Sequence, residues 1–327
     1  MRETDPVKRR ARLTRAEADG RHGVRAVLAD VDPGRPVVLG VSGGADSLAL
    51  AACAAFVADR DGHDVRGAVV DHGLQPGSAD VAERAAEQVR SLGLPADVVT
   101  VQVEGDGGPE AAARRVRRAA LLDHAGEDGV VLLAHTRDDQ AETVLLGLGR
   151  GSGARSLAGM RAVAGPWRRP LLGLRRAETE QICREHDLDW WDDPHNQNPT
   201  YRRVRVRHEL LPLMDDVLAG GVVEALARTA DQLRDDADLL DALAADVAEP
   251  HHVEVLVHLP AALRSRTLRR LALDAGASPS ETGAGHVAAL ERLVLEPGGP
   301  GRVELPGGVC CRREGSSLRF APTLVAG

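Results

Sequence analysis

Lysine is almost missing from this sequence: Lys8 is the only one among 327 residues. The familiar phosphate loop that ends in Gly-Lys-Ser or Gly-Lys-Thr is therefore excluded, because its lysine has to reach the phosphates. Long apolar runs are missing too. None approaches the ~20 residues needed to cross a bilayer, so no membrane partner is expected. The N-terminal stretch MRETDPVKRRARLTRAEADG is charged but lacks the apolar segment of a secretory signal. Cysteine is scarce, and Cys53, Cys183, Cys310 and Cys311 form no Cys-x-x-Cys pair and no metal-ligating spacing. Together these absences predict a cytoplasmic protein with reduced thiols.

What is present is an ordinary globular composition, 43% hydrophobic and 28% charged, in a chain long enough for two domains. The net charge of −8 argues at first sight against a nucleic-acid partner. Its placement weakens the objection. Residues 215–250 hold ten acids against two bases, which accounts for all of it. The remainder is balanced and can present basic faces, and the local field rather than the total steers a partner.

Apolar runs at Val37–Val41, Val65–Val70, Asp97–Val103 and Gly129–Ala134 alternate with helical patterns at Ser47–Arg60, Ser78–Leu92 and Pro109–Ala125. Continuous apolar strands alternating with helices predict an α/β fold, a parallel sheet with helices on both faces. This domain is expected over residues 36–214, after an N-terminal extension, 1–35, that is either a disordered arm or a helix laid on the core. A smaller, mostly helical C-terminal domain is expected over 215–327. Within it, 215–247, Arg264–Ala275 and Gly285–Leu295 read as helical, Val253–Val257 as a short strand, and the glycine-rich tail as a hairpin. Ligands of such sheets sit beyond the carboxyl ends of the strands.

Four constellations lie at or close behind such ends. In Ser42-Gly43-Gly44-Ala45-Asp46-Ser47 the glycines allow close backbone approach and the following helix offers N–H groups to an anion. Asp46 suits such a site if Mg²⁺ joins it to phosphate oxygens; the plainer reading is a strand-to-helix turn with Asp46 as a cap. In the stretch after Ala134, Asp139 and Glu142 share a helix face. They read either as metal or base carboxylates, or, for Thr136 and Asp139, as a capping box, although Glu142 is too deep to cap. Arg150, beside Gly151-Ser152-Gly153, either closes over a second anion or belongs to a helix end. Arg114, Arg117 and Arg118 share a face that either binds carboxylate or phosphate or is simply solvated. Tyr201 leads Arg202, Arg203, Arg205 and Arg207, which suits a stacked base and phosphates, or else the basic face of a linker helix. His72 and His135 each end an apolar run where a ligand contact fits.

Taken in order, VSGGADS, DHGLQPGS, EAAARRVRRAAL, LAHTRDDQAETVLLGLGRGSG, RPLL and WDDPHNQNPTYRRVRVRHELLP resemble the tRNA(Ile)-lysidine synthetase family, a branch of the N-type (PP-loop) ATP pyrophosphatases. The tail, with LPAALRSRTLRR and LPGGVCCR, is similar to that family's first C-terminal domain. The resemblance implies a PP-loop, adenine nucleotide α-hydrolase-like fold, with ATP and Mg²⁺ as cofactors. Its partners are tRNA(Ile) with a CAU anticodon and L-lysine, and a homodimer is left open. ATP would adenylate O2 of the first anticodon cytidine and release pyrophosphate, and the lysine side-chain amine would then attack C2 and displace AMP. By match, Ser42, Gly43, Gly44, Ala45, Asp46 and Ser47 hold ATP, with His72 and His135 near it. Asp46 and Asp139 take the metal, and Asp46, Asp139, Glu142 and Arg114 are catalytic. Arg117, Arg150, Tyr201, Arg203, Arg205 and Arg207 are expected to meet tRNA. Arg118, Arg137, Val204 and Asp71 depart from the family pattern without removing a chemical role.

Three rivals remain. A tRNA sulfur transferase on the same fold needs reactive or cluster-binding cysteines, which the cysteine pattern does not offer. A non-catalytic nucleotide- and RNA-binding module has no need of three carboxylates around one polyphosphate. An amidating synthetase with the same loop needs a glutaminase-like cysteine site.

Overall fold

The computed structural model describes residues 13–73, 77–102, 109–149, 153–193, 197–296 and 301–323, with 109–111 described by backbone alone. From α1 (Arg15–Leu28) the chain alternates β1 (Val37–Val41), α2 (Ala45–Asp61), β2 (Val65–Asp71), α3 (Ser78–Ser91), β3 (Ala96–Thr100), α4 (Pro109–Ala125), β4 (Val130–Leu132) and α5 (Arg137–Leu148). After a short α6 (Ala154–Leu157) come β5 (Val163–Ala164), β6 (Trp167–Arg168) and α7 (Arg176–Glu185). Then follow α8 (Arg202–Arg205), a π turn (Val206–Leu210) and α9 (Leu211–Val217).

The strands lie in the order β3-β2-β1-β4-β6-β5, parallel except for the antiparallel edge pair β5–β6. Val37 pairs with Val65 on one side and Val130 on the other. The strands therefore finish in step, and the loops after β1, β2 and β4 open at one edge. Val37, Val38 and Leu39 are fully buried, as expected of a strand covered on both faces. The sheet is wider than the four apolar runs predict, because β5 and β6 are too short to leave a pattern.

Part of the expected N-terminal extension is core. Thr14 caps α1 by accepting from the Glu17 N–H, and Val24, Val27 and Leu28 are buried against α2 and β1. Residues 1–12 lie outside the described set.

The described residues divide into two compact units, one up to 143 with 160–227, the other 144–159 with 228 onward. The later elements are α10 (Val222–Ala245), α11 (Val253–His258), α12 (Ala261–Asp274), α13 (Ala284–Leu295) and an antiparallel sheet of β7 (Arg302–Leu305), β8 (Val309–Glu314) and β9 (Ser317–Pro322). Two expectations are corrected. Val253–Val257 is helical: Val253 and Leu256, three apart, are buried with Leu268 and Leu290, and so short an apolar run carries no period that separates helix from strand. The tail forms three strands, not a hairpin. The acidic stretch is also interrupted, by Gly220 and Gly221 at φ of 85° and 73° between α9 and α10. No described helix is long and apolar enough to cross a membrane.

Candidate active site

β1 ends at Val41 and α2 begins at Ala45, so Ser42, Gly43 and Gly44 make the whole connection. Gly43 has a φ of 79°, and a Cβ there would lie 3.3 Å from that of Ala85. Glycine meets both demands. The Trp191 N–H donates to the Gly43 carbonyl at 3.0 Å, and the buried Ser47 hydroxyl donates to the Gly44 carbonyl at 2.9 Å. The Ser42 N–H in turn donates to Ser47 Oγ at 3.2 Å. Ala45 and Asp46 open α2, whose first N–H groups and positive dipole end face this loop. Asp46 does not cap its own helix. Its Oδ1 accepts from the Thr179 hydroxyl and its Oδ2 lies 3.4 Å from Arg176 Nε. Burial raises the Asp46 pKa, and Arg176 and Thr179 offset part of that rise.

Beside the loop opens a cavity of about 170 Å³ lined by Ser42, Asp46, Ser47, Arg114, Arg117, Arg118, His135 and Arg169, together with Val70 and Leu121. One carboxylate against four guanidinium groups suits a polyanion. The Arg118 guanidinium lies over the Trp167 ring, 4.2 Å from its centre. His135 Nδ1 is buried without a hydrogen-bond partner among the described residues. Burial pushes this histidine down to about 4 against the pull of Asp139. Its ring is neutral at pH 7, and an orphaned ring nitrogen fits a hydrogen-bonding ligand. His72 does not line the cavity. It lies near Arg117, and burial first, then that charge, lower its pKa.

α5 supplies the second carboxylate group, and the capping reading of Thr136 and Asp139 is seen directly. Asp139 Oδ2 accepts from the Thr136 N–H at 2.9 Å and hydroxyl at 3.1 Å, the capping arrangement. Asp139 Oδ1 instead faces Arg207 at 3.5 Å and Arg176 at 3.7 Å. Burial pushes Asp139 up, but Arg176, the Thr136 N–H, His135 and Arg203 outweigh it, and its pKa lies below the ordinary value. Glu142 is fully buried. Its Oε1 accepts from Arg207 Nε at 2.6 Å, and its Oε2 from Arg203 Nε at 2.8 Å and Arg207 Nη2 at 3.2 Å.

Arg203 and Arg207 are thus turned onto Glu142 rather than presented outward. Arg205 is exposed and paired with Glu209 at 2.8 Å. Tyr201 is half-buried and precedes α8, Arg117 lies at the cavity, and Arg150 falls outside the described residues. The structure therefore gathers the loop, Asp46, Arg114 and His135 around one cavity, and Asp139 joins them through Arg176. Sequence reasoning missed Arg169, Arg176 and Thr179 as site residues. The RPLL block pointed to the first; nothing local marked the other two.

Asp46 and Asp139 converge on one cationic group, a hard-oxygen donor pair of the kind Mg²⁺ uses. Among the described residues no group of three or more His, Cys, Asp or Glu could hold a metal ion. A metal ion held by these two acids would need phosphate oxygens or water to complete its shell.

The PP-loop domain family matches residues 19–214, and the TilS substrate binding domain family matches residues 252–318. The chain is 52% identical to the tRNA(Ile)-lysidine synthase of Nocardia farcinica over 298 residues, covering 88% of this chain and 91% of that one. It is 48% identical to the tRNA(Ile)-lysidine synthase of Leifsonia xyli subsp. xyli over 327 residues, covering 95% and 97%. Among solved structures, the U34-tRNA thiolase NcsA from Methanococcus maripaludis, with its 4Fe-4S cluster, matches with a TM-score of 0.55 at 18% identity, over 67% of this chain and 79% of that one. That likeness concerns the fold alone.

Proposed function

The chain belongs to the tRNA(Ile)-lysidine synthase family, and from that premise we propose how this site performs the family's reaction. The protein is an ATP-using ligase that makes lysidine in tRNA(Ile). One observation carries the assignment of roles: the Ser42–Ser47 loop, Asp46, Arg114 and His135 share a cavity, and Arg176 links Asp46 to Asp139.

In the first step the loop N–H groups and the hydroxyls of Ser42 and Ser47 grip the ATP phosphates. O2 of the first cytidine of a CAU anticodon attacks the α-phosphorus, and pyrophosphate leaves. Arg114 and Arg169, both lining the cavity, offset the charge that develops on the phosphate oxygens. Neutral His135 donates or accepts a hydrogen bond without adding charge. Mg²⁺, held by Asp46 and Asp139, would supply neutralisation of the phosphate oxygens. Arg205, exposed on α8, and Tyr201, half-buried just before it, are the residues of this segment that would meet the RNA.

In the second step the lysine amine attacks C2 and AMP departs. A lysine amine has a pKa of about 10.4, so presenting its free base at pH 7 costs ~4.6 kcal/mol. A carboxylate beside the amine takes the proton as the C–N bond forms and the nitrogen turns acidic. Both oxygens of Glu142 are occupied by arginines, whereas Asp139 Oδ1 has only the longer contacts. Of the two acids Asp139 is therefore the more open to the amine, and Glu142 positions Arg203 and Arg207. Sulfur transfer is disfavoured by chemistry: burial pushes the Cys53 and Cys183 thiols up to about 12, far from a reactive thiolate.

The test separates the two steps. With ATP and a CAU-anticodon transcript but no lysine, pyrophosphate release should stop near one equivalent of bound tRNA, and added lysine should start turnover with AMP release. Pyrophosphate release that waits for lysine would contradict the proposed order.

A further inference from the structure

Arg175 and Arg176 are adjacent at the start of α7 and serve different carboxylates. Arg175 forks onto Asp138, with Nη2 at 3.1 Å, and reaches Glu224 at 2.6 Å. The Arg176 N–H donates to Asp138 Oδ2 at 2.8 Å, which fixes where its side chain starts. That side chain runs the other way, and its guanidinium stands between Asp46 and Asp139, two acids from different helices.

Two features separate this contact from an ordinary structural ion pair. The first is its length. Charge-assisted N–H···O bonds to carboxylates run about 2.7–2.9 Å, as those from Arg203 and Arg207 to Glu142 do at 2.8 and 2.6 Å. Arg176 sits at 3.4 Å and 3.7 Å from its two partners. It neutralises both acids and grips neither. The second is competition. Mg²⁺ binds carboxylate oxygens at about 2.0–2.1 Å with twice the charge, so a loosely seated guanidinium yields to it. Without any cation the two buried acids would repel each other, and Asp139 is among the charges that raise Asp46.

We propose that Arg176 is an internal counter-cation of the metal site: it holds Asp46 and Asp139 facing one another when the site is empty of metal, and gives way when Mg²⁺ arrives. The proposal rests on the reading of Asp46 and Asp139 as the metal-binding pair. Arg176 is then a positioning residue. It keeps the metal-free site assembled and weakens the protein's affinity for Mg²⁺ by the amount of the contact that must break.

The experiment uses the full chain with Mg²⁺ alone, titrated by calorimetry, beside thermal unfolding in EDTA and at saturating Mg²⁺. Arg176→Gln should bind Mg²⁺ about threefold to tenfold more tightly, as expected for loss of a long ion-pair contact of roughly 1 kcal/mol. Its Tm should fall below that of the parent in EDTA, and the gap should close as Mg²⁺ saturates. Arg176→Lys keeps the charge but not the fork, and should lie between the two; it also carries the comparison if Arg176→Gln does not fold. Equal or weaker Mg²⁺ binding by the variants, or a Tm gap that Mg²⁺ leaves unchanged, overturns the counter-cation role alone. No response to Mg²⁺ in any of the three proteins overturns that role and the metal reading together.

Discussion

A histidine kept neutral by burial leaves a signature in stability. His135 lies at about 4 in the folded protein against 6.5 when free. Between these values the unfolded chain binds the proton and the folded one resists it. The contribution of His135 is therefore complete above about 6.5 and is lost as pH falls toward 4, amounting to at most ~3 kcal/mol. His135→Gln cannot take up that proton, so its Tm should fall less than that of the parent across this window; parallel curves would contradict the assignment. At the same scale, the sequence shows why some roles were legible and others were not. Ser42–Ser47 declare themselves because a loop acts through neighbours in the chain. Asp139 left two readings open because its two oxygens do two jobs, one capping Thr136 and one facing the site. Arg176 was invisible, because its partners Asp46 and Asp139 are distant in sequence and pairing across the fold leaves no local pattern.

α5 and the arginine segment meet through Glu142, and the segment is shaped for it. Pro212 has no N–H to offer the carbonyl four residues back, and the helix widens just before it into a π turn closed by the Leu211 N–H on the Val206 carbonyl. Arg203 and Arg207, on either side of the α8 boundary, both reach the one buried carboxylate. Two variants separate positioning from chemistry. Glu142→Gln should lower stability toward the lower end of the ~3–5 kcal/mol for breaking a buried pair, since the arginines are partly exposed. Asp139→Asn retains an oxygen for the Thr136 cap, so its Tm should change little while lysine incorporation falls ~10²–10⁴-fold. The reverse pattern in unfolding curves and incorporation rates would exchange the two roles. Strands were legible as apolar runs because both faces of a parallel sheet are buried. The helix Val253–His258 was not, being one and a half turns of mostly apolar residues, and the arginines of α8 and the π turn look like a basic face until Glu142 is seen beneath them.

Across the whole molecule, the families that match residues 19–214 and 252–318 fall largely in the two compact units respectively. The cavity, the carboxylates and their arginines all belong to the first unit. The charge of −8 is concentrated in residues 215–250, which leaves the cavity beside the loop bordered by arginines despite an acidic chain. The central claim is that a lysine-free glycine loop and its aspartate activate a cytidine for attack by lysine. Its most direct test is mass analysis of nucleosides after the protein is incubated with ATP, Mg²⁺, lysine and a CAU-anticodon tRNA(Ile) transcript. Lysidine should replace one cytidine per transcript with the parent protein and fall by orders of magnitude with Asp46→Asn. Unmodified cytidine with the parent protein, or undiminished lysidine with Asp46→Asn, would contradict it.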